Sequence, residues 1–302
     1  MGKKILLVGV GSIGTYLALK LSAGGNDVTV LRSSKLNGIK TGDSIKINGA
    51  PFVVPNLVDE LKDKDPTFYD YIFLTCKMYD IRNLLKEIIQ KGLKFGTLIS
   101  IQNSLFEDMW YFDYIKDKPF VIVSVYEGFF LDGRDIKKSD YKGWFVEDDM
   151  LGRDIHKLLL GSDIAVSLVS DIRKLRAEKT VINCALNAIS AIEDKTFAEM
   201  IANRKIKQEM KTIFDESYDI LSELVKMKAK RMLWQELLDR AKEMKHYSST
   251  WQDVKQNRKT EIAFLNGYVV SLSRRLGKPA SYNQIIMDKF RAKYPGLYYV
   301  QL

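Results

Sequence analysis

The hydrophobic positions near the start of the chain alternate between short apolar runs and amphipathic helices. The first run spans residues 4–9, Lys-Ile-Leu-Leu-Val-Gly, and is typical of a strand buried on both faces of a parallel sheet. A helix predicted at residues 13–23 follows and ends at Gly24-Gly25, a suitable C-terminal stop. A second strand is predicted at residues 27–31. This order predicts an α/β fold with a doubly wound parallel sheet.

The same patterns divide the chain into two halves. Further strands are predicted at residues 44–47, 71–76, 97–102, 120–126 and 164–167, with a helix at residues 81–91. After about Ser170 the strand patterns end and the 3.6-residue periodicity of amphipathic helices begins. Helices are predicted at residues 171–192, 196–228, 231–246, 259–276 and 281–293. The sequence therefore predicts an α/β domain at residues 1–170 and an all-helical domain at residues 171–302.

Composition agrees with two folded cores. The 302 residues are 46% hydrophobic and 28% charged, which is typical of a globular rather than a disordered chain. Cys76 and Cys184 are the only cysteines, too few for a disulfide framework, which favours a reducing compartment. The start shows no signal-peptide pattern, and no apolar run approaches the roughly 18 residues of a membrane span. We therefore expect a cytoplasmic protein without membrane contact.

The net charge of +9 indicates attraction to anions, whether nucleic acid, a membrane surface or a phosphorylated small molecule. The densest basic run, residues 226–231, has acidic Glu223, Glu236 and Asp239 on either side. This mixture is typical of a solvated helix face, and no nucleic-acid-binding motif accompanies it. We expect no nucleic-acid partner. No cluster of metal ligands with suitable spacing is present either, so no metal site is predicted.

A glycine-rich sequence, Gly9-Val10-Gly11-Ser12-Ile13-Gly14, connects the first strand to the first helix. In this position GxGxxG is typical of a dinucleotide-binding turn. Gly9 permits the turn, Gly11 leaves room for a pyrophosphate, and Gly14 lets helix and strand approach closely. The first helical N–H groups, from Ser12 and Ile13 onward, face the anion. We expect dinucleotide binding here; the alternative is a coincidental glycine-rich turn.

The end of the second strand carries Arg32, followed by Ser33 and Ser34, where NAD-binding proteins place an acidic residue. A guanidinium suits the 2′-phosphate of NADP(H), because it can bind the phosphate bidentately. This favours NADP(H); the alternative is an exposed surface arginine. Lys77, just past the strand at residues 71–76, is either a second positive charge at this sheet edge or a solvated loop lysine.

Polar side chains recur at four-residue spacing in the helix predicted at residues 171–192. Lys179, Asn183 and Asn187 share one face, and their neighbours are almost all apolar. A buried polar side chain must be hydrogen-bonded within the protein or must bind a ligand, because leaving it unpaired costs a few kcal/mol. The residues alone leave both alternatives open.

A second polar group occupies Ser248–Asp253 and Lys259–Gly267, where Glu261 and Asn266 fall in the helix predicted at residues 259–276. The GxGxxG turn, the Lys-x3-Asn-x3-Asn helix, the Ser-Ser-x-x-Gln-Asp turn and the Thr-Glu-Ile-x-x-Leu-Asn-Gly segment occur in that order. Together they resemble the ketopantoate reductase (2-dehydropantoate 2-reductase) family over nearly the whole chain.

This resemblance implies an NADP-binding Rossmann domain at residues 1–170 joined to a helical substrate domain at residues 171–302. It also implies NADPH-dependent reduction of 2-dehydropantoate to pantoate, a step of pantothenate and coenzyme A biosynthesis. By motif, Lys179 and Glu261 are the catalytic residues, with Glu261 binding a substrate hydroxyl. The implied substrate-binding residues are Asn103, Asn183, Asn187 and Ser249. Asn103 also lies near the nicotinamide in the family, and Lys77 matches a lysine of its cofactor site.

The chemistry of these groups agrees with the resemblance. Hydride addition to a ketone carbon creates an alkoxide, which needs a proton donor and a nearby positive charge; a lysine ammonium such as that of Lys179 supplies both. A non-catalytic NADP-binding sensor would not need the lysine, asparagine and glutamate set. The aromatic residues Tyr294, Tyr298 and Tyr299 are a candidate contact of a possible homodimer.

Two departures from the family bear on the substrate. Ser104 occupies the position of the family's glycine after Asn103, and residues 126–147 lack its usual His-x-Gly-x-Gly hairpin. Ketopantoate is the first expectation, and another 2-keto acid on the same scaffold is the alternative.

Overall fold

The structure, a computed structural model, describes residues 2–32, 36, 38–105, 114–115, 118–139 and 143–298. Its contacts separate two units. The first comprises Met1–Gln102 and Glu107–Ile172, and the second comprises Asn103–Phe106 and Arg173–Leu302. The separation after Ile172 lies next to the boundary predicted at residue 170, whereas the segment at Asn103 joins the second unit. Within the described ranges, no helix has the length and apolar character needed to cross a membrane.

The strands of the first unit form two sheets. In chain order they are β1 (Lys4–Val8), β2 (Asp27–Leu31), β3 (Ser44–Ile47), β4 (Ala50–Val53), β5 (Asn56–Val58), β6 (Phe68–Leu74), β7 (Lys94–Ser100), β8 (Phe120–Val125), β9 (Phe129–Asp132), β10 (Asp135–Lys138), β11 (Trp144–Glu147) and β12 (Val166–Val169). The larger sheet has the order β12-β11-β8-β7-β6-β1-β2-β5. All of its neighbouring pairs are parallel except β8 and β11.

The helices of the first unit include α1 (Ser12–Ala23), α2 (Met78–Gln90) and α3 (Met150–Gly161). Aromatic rings fill the core beside α1, where the Tyr16 ring lies 4.9 Å from Phe129 and 6.1 Å from Trp144, centroid to centroid. The buried residues of β1, Ile5 to Val8, are at most 1% exposed, as the continuous apolar run predicts.

A second, four-stranded sheet has the order β4-β3-β10-β9, and of its strands only β3 was predicted. The predicted doubly wound sheet therefore omits strands that the first unit contains. The reason is local: these strands are four residues long, β4 contains Pro51, and Val53 is 67% exposed. Such edges carry no clear alternation of apolar and polar positions.

The second unit is built from α4 (Ile172–Glu193), α5 (Phe197–Ala202), α6 (Arg204–Leu221), α7 (Lys230–Glu243), α8 (Ser249–Lys255), α9 (Asn266–Arg275) and α10 (Ser281–Lys293). Single 3-10 turns lie at Ile262–Phe264 and Pro295–Leu297. The helical side chains enclose a separate core around α4, in which Ala177, Val181, Cys184 and Ala185 are fully buried. The predicted α/β class, with a helical second half, is confirmed.

Two predicted helices need correction. The helix predicted at residues 196–228 is divided at Asn203, whose side chain caps α6 by accepting bonds from Lys205 N (3.0 Å) and Ile206 N (3.1 Å). The helix predicted at residues 259–276 begins too early. Thr260 instead donates to the Leu297 carbonyl at 2.9 Å from its backbone N–H, a long-range contact that local periodicity cannot reveal.

The C-terminal aromatic residues have partners within the second unit. The Tyr294 hydroxyl donates to the Ala191 carbonyl at 2.9 Å, and the Tyr298 ring lies 6.0 Å from the Arg291 guanidinium. Tyr299 lies outside the described residues. The homodimer therefore remains a prediction.

Candidate active site

The turn between β1 and α1 can be formed only by glycine at two positions. Gly9 has φ +102°, and a Cβ there would lie 2.1 Å from the Cys76 backbone nitrogen. A Cβ on Gly14 would lie 2.0 Å from the Gly9 carbonyl oxygen. The Thr75 hydroxyl donates to that same carbonyl. The glycines thus let α1 begin close against the end of β6.

The start of α1 presents backbone donors without a competing acceptor from its own cap. Gly11 is the N-cap residue and supplies no side chain to accept from the first turn, which also contains no acidic residue. The first N–H groups of a helix have no intrahelical partner and carry the positive end of its dipole. Ser12, Ile13 and Gly14 therefore provide the donors that a pyrophosphate needs.

Arg32 lies at the end of β2, as predicted, but a carboxylate already contacts it. Its Nε is 2.7 Å from Asp59 Oδ1, and a terminal guanidinium nitrogen donates to the carbonyls of Ile39 (2.5 Å) and Leu36 (3.3 Å). Asp59 directly follows β5, the strand that pairs with β2. Asp59 is not among the predicted site residues, because β5 was not predicted. Ser33 and Ser34 lie outside the described residues.

Lys77 is the N-cap residue of α2, immediately beyond the end of β6. The neighbouring backbone is bonded to the segment just after β7, since the Gln102 side-chain amide donates to the carbonyls of Leu74 (2.8 Å) and Cys76 (3.2 Å). Lys77 is partly exposed. It therefore lies at the carboxyl edge of the sheet, as the glycine turn does. Both interpretations of Lys77, a second positive charge for the cofactor or a solvated loop lysine, stay open.

The three polar residues predicted to share a helix face all belong to α4. Lys179 Nζ donates to Asn103 Oδ1 at 2.5 Å. Asn187 is 6% exposed, and among the described residues neither its side chain nor that of Asn183 has a hydrogen-bond partner. Two largely enclosed amides are thus available to a ligand.

Lys179 has a strongly altered protonation equilibrium. Burial lowers the pKa of its ammonium from 10.5 to about 7, with further lowering by the positive charges of Arg176 and Arg240 and opposition from Glu261. Burial disfavours a charged group, and nearby like charges disfavour it further. The amine therefore exchanges its proton near neutral pH, as a general acid requires.

Glu261 is not in a helix, contrary to the prediction. It precedes the 3-10 turn Ile262–Phe264, and its carbonyl accepts from Phe264 N at 2.9 Å. Its carboxylate is one of the charges acting on Lys179. The second unit thus brings together three predicted site residues that are far apart in sequence, Asn103, Lys179 and Glu261.

Ser249, predicted to bind substrate, is the exposed first residue of α8. Its neighbour Ser248 has the structural role: the buried Ser248 hydroxyl accepts from Trp251 N at 3.0 Å and donates to the Asn187 carbonyl at 3.0 Å. The bond to the Asn187 carbonyl places the start of α8 beside the end of the α4 face that carries Lys179, Asn183 and Asn187.

Asn266, also noted in the sequence, is structural. It begins α9 rather than lying within the predicted helix, and its amide donates to Asn283 Oδ1 (2.9 Å) and the Cys184 carbonyl (3.1 Å). Asn283 in turn donates to Glu216 Oε2 at 2.8 Å. This buried network joins α4, α6, α9 and α10.

Three residues near Lys179 were not predicted to be part of the site. They are Arg176, Arg240 and Ser104, of which Ser104 was noted only as a departure from the family. Arg176 lies three residues before Lys179, so helical spacing alone could have indicated it. Arg240 is on α7, and no local pattern points to it.

An α/β unit with a glycine turn is typical of dinucleotide binding, and the cluster of Asn103, Lys179 and Glu261 in the helical unit offers a proton donor. Together they indicate a two-domain oxidoreductase. The sequence model described as ketopantoate reductase PanE/ApbA matches residues 5–145, and the one described as its C terminal matches residues 171–294. The chain belongs to the ketopantoate reductase family.

Individual relatives are distant. A 2-dehydropantoate 2-reductase of Aquifex aeolicus is 25% identical over 315 aligned positions, which cover 97% of each chain. Two solved structures are each 19% identical with a TM-score of 0.85 over 97% of this chain: D-mandelate dehydrogenase with NADH and anilino(oxo)acetate, covered to 99%, and a PanE/ApbA family ketopantoate reductase from Ralstonia eutropha, covered to 98%. At this identity the structures support the fold alone.

Proposed function

We propose that the protein reduces 2-dehydropantoate to pantoate with NADPH. The observation that carries this proposal is the cluster around Lys179. This lysine has a pKa of about 7, donates a hydrogen bond to Asn103 and is subject to the negative charge of Glu261. Membership of the ketopantoate reductase family supports the reaction type.

The first unit fits a dinucleotide. A surface for a pyrophosphate is formed by the glycine turn and the start of α1. In the turn a Cβ on Gly9 or Gly14 would collide with backbone atoms, and the start of α1 has no side-chain cap. When bound, the dinucleotide supplies the hydride. Arg32 supports a preference for NADPH because its guanidinium can exchange Asp59 for the 2′-phosphate, to which Lys77 can add a second charge.

In the proposed reaction Lys179 donates a proton to the oxygen of the reduced ketone. A positive charge at this position also stabilises the negative charge that develops on that oxygen. The amides of Asn183 and Asn187 and the hydroxyl of Ser249 would hold the carboxylate and carbonyl without adding charge. Asn103 would orient the lysine, and Glu261 would accept a hydrogen bond from the substrate hydroxyl.

A second candidate is the reduction of another 2-keto acid by the same groups. Residues 126–147 contain β9, β10 and β11. Within them Glu127 accepts from Trp144 Nε1 at 2.8 Å and from Lys138 Nζ at 2.6 Å. Residues 140–142 of this segment lie outside the described residues. A different segment here can alter substrate choice while leaving Lys179 in place.

The test is NADPH oxidation with a panel of 2-keto acids: ketopantoate, 2-ketoisovalerate, pyruvate and an aromatic 2-keto acid. The proposal predicts the highest kcat/KM for ketopantoate and a slower reaction with NADH. A higher kcat/KM for another member of the panel would select the second candidate. No oxidation with any of them would contradict both.

A further inference from the structure

Arg176 is an arginine in the interior of the second unit, one turn before Lys179 on α4. It is only 3% exposed, and its guanidinium donates to the Ser104 carbonyl. Lys179 donates to the side chain of the preceding residue, Asn103, at 2.5 Å. Two basic residues on successive turns of one helix thus hold two successive residues of one short segment.

A third contact fixes this segment from the other side. The Ser104 hydroxyl, 2% exposed, donates to the Phe264 carbonyl at 2.9 Å. Phe264 closes the turn that begins at Glu261. Ser104 therefore links the Asn103 segment to the turn that carries Glu261, and a glycine at this position would have no hydroxyl to donate.

Burying a guanidinium costs several kcal/mol, and an apolar residue at such a position is often as stable or more so. The groups that act electrostatically on Lys179 are Arg176 on α4, Arg240 on α7 and Glu261 before the 3-10 turn. Tyr268 on α9 acts on Arg176. Arg176 is thus a costly positive charge placed beside the one lysine that the proposed reaction needs.

We propose that Arg176 is a positioning residue that acts on the reaction through Lys179 and through the segment carrying Asn103. It holds Ser104, and with it Asn103, against the lysine, and its charge disfavours the protonated amine. The inference rests on the proposed role of Lys179. Arg176 itself need not touch the substrate.

The test titrates Lys179 directly in the full-length protein. Trace acetylation with acetic anhydride at a series of pH values, followed by mass spectrometry of the Lys179 peptide, gives the midpoint at which the amine becomes reactive. This measurement needs neither substrate nor cofactor. A protein without reductase activity would refute the proposed function and still give a valid titration.

Three proteins test the effect of the charge: the wild type, Arg176→Gln and Arg173→Gln. Arg176→Gln keeps a hydrogen-bond donor but removes the charge, and we expect the midpoint to rise by about one pH unit or more. Arg173→Gln makes the same exchange one turn earlier on α4, at an exposed position, and should leave the midpoint unchanged.

An unchanged midpoint in a folded Arg176→Gln protein would overturn the inference, as would an equal shift in Arg173→Gln. If Arg176→Gln does not fold by circular dichroism, Arg176→Met provides the same test, because its side chain needs no polar partner when buried. In active variants the alkaline limb of the kcat profile should move with the midpoint. A loss of stability without this movement would assign Arg176 a structural role only.

Discussion

Replacing Lys179 by methionine should make the protein more stable at neutral pH while lowering kcat by about 10²–10⁴-fold, the usual effect of removing a proton-transfer group. The unfolded lysine has a pKa of 10.5, whereas the folded one has a pKa of about 7. Between these values the unfolded chain holds a proton that the folded protein has released. Methionine has a similar length and nothing to ionise.

The magnitude follows from linkage between proton binding and folding. Because the unfolded state binds more protons, the stability of the wild type rises with pH between about 7 and 10.5, by up to 1.36 kcal/mol per pH unit. The destabilisation caused by burying the charged Lys179 ammonium is fully present below the pKa of Lys179 in the folded state. It disappears above the pKa of this lysine in the unfolded state. Between pH 7 and pH 9 the free energy of unfolding of the wild type should therefore rise by about 2 kcal/mol relative to that of Lys179→Met.

The assay is urea unfolding of both proteins at pH 7, 8 and 9 and constant ionic strength. Subtracting the two curves removes the other titrating groups, which both proteins share. Lys205→Met, at an exposed position on α6, is the control. Its free energy of unfolding should change with pH in parallel with that of the wild type. Parallel curves for Lys179→Met would mean that the ammonium keeps its ordinary pKa, and would refute the reasoning.

Other predictions concern the cofactor and the substrate. Arg32→Asp should weaken NADPH binding by about 1.5–3 kcal/mol more than NADH binding, measured by fluorescence titration; an equal loss for both would argue against a phosphate-binding role. Asp59→Asn should shift the preference toward NADPH, because it removes the carboxylate 2.7 Å from Arg32; a shift toward NADH would mean that Asp59 instead orients the arginine. Glu261→Gln should reduce the preference for ketopantoate over 2-ketoisovalerate in kcat/KM, since the deoxy analogue leaves the carboxylate without its partner; an unchanged preference would remove the hydroxyl-binding role.

The elements that the sequence predicts well are those whose burial is continuous. β1 and α1 lie within one residue of their predicted bounds, because a fully buried strand and a glycine turn leave an unambiguous pattern. The break between α5 and α6 at Asn203 could also be predicted from the sequence. Thr196 and Glu199 form a capping box for α5, and Asn203 is a favoured N-cap residue.

The remaining features depend on contacts that sequence patterns do not contain. Glu261 leaves the predicted helix because Thr260 bonds to Leu297. Ser104 gains its role from Phe264, 160 residues away. The spacing of Lys179, Asn183 and Asn187 predicts a shared face. The burial that is the main cause of the lowered pKa of Lys179, and the nearby charge of Arg240 on α7, follow only from tertiary packing.

The central claim is hydride transfer from NADPH to the C2 carbon of ketopantoate, and isotope tracing tests it most directly. The protein would be incubated with ketopantoate and NADPH carrying deuterium at C4 of the nicotinamide, separately in each of its two stereoisomers. We predict pantoate with one deuterium at C2 from a single stereoisomer, and none from the other. Pantoate without deuterium from either isomer, or no pantoate at all, would contradict the account.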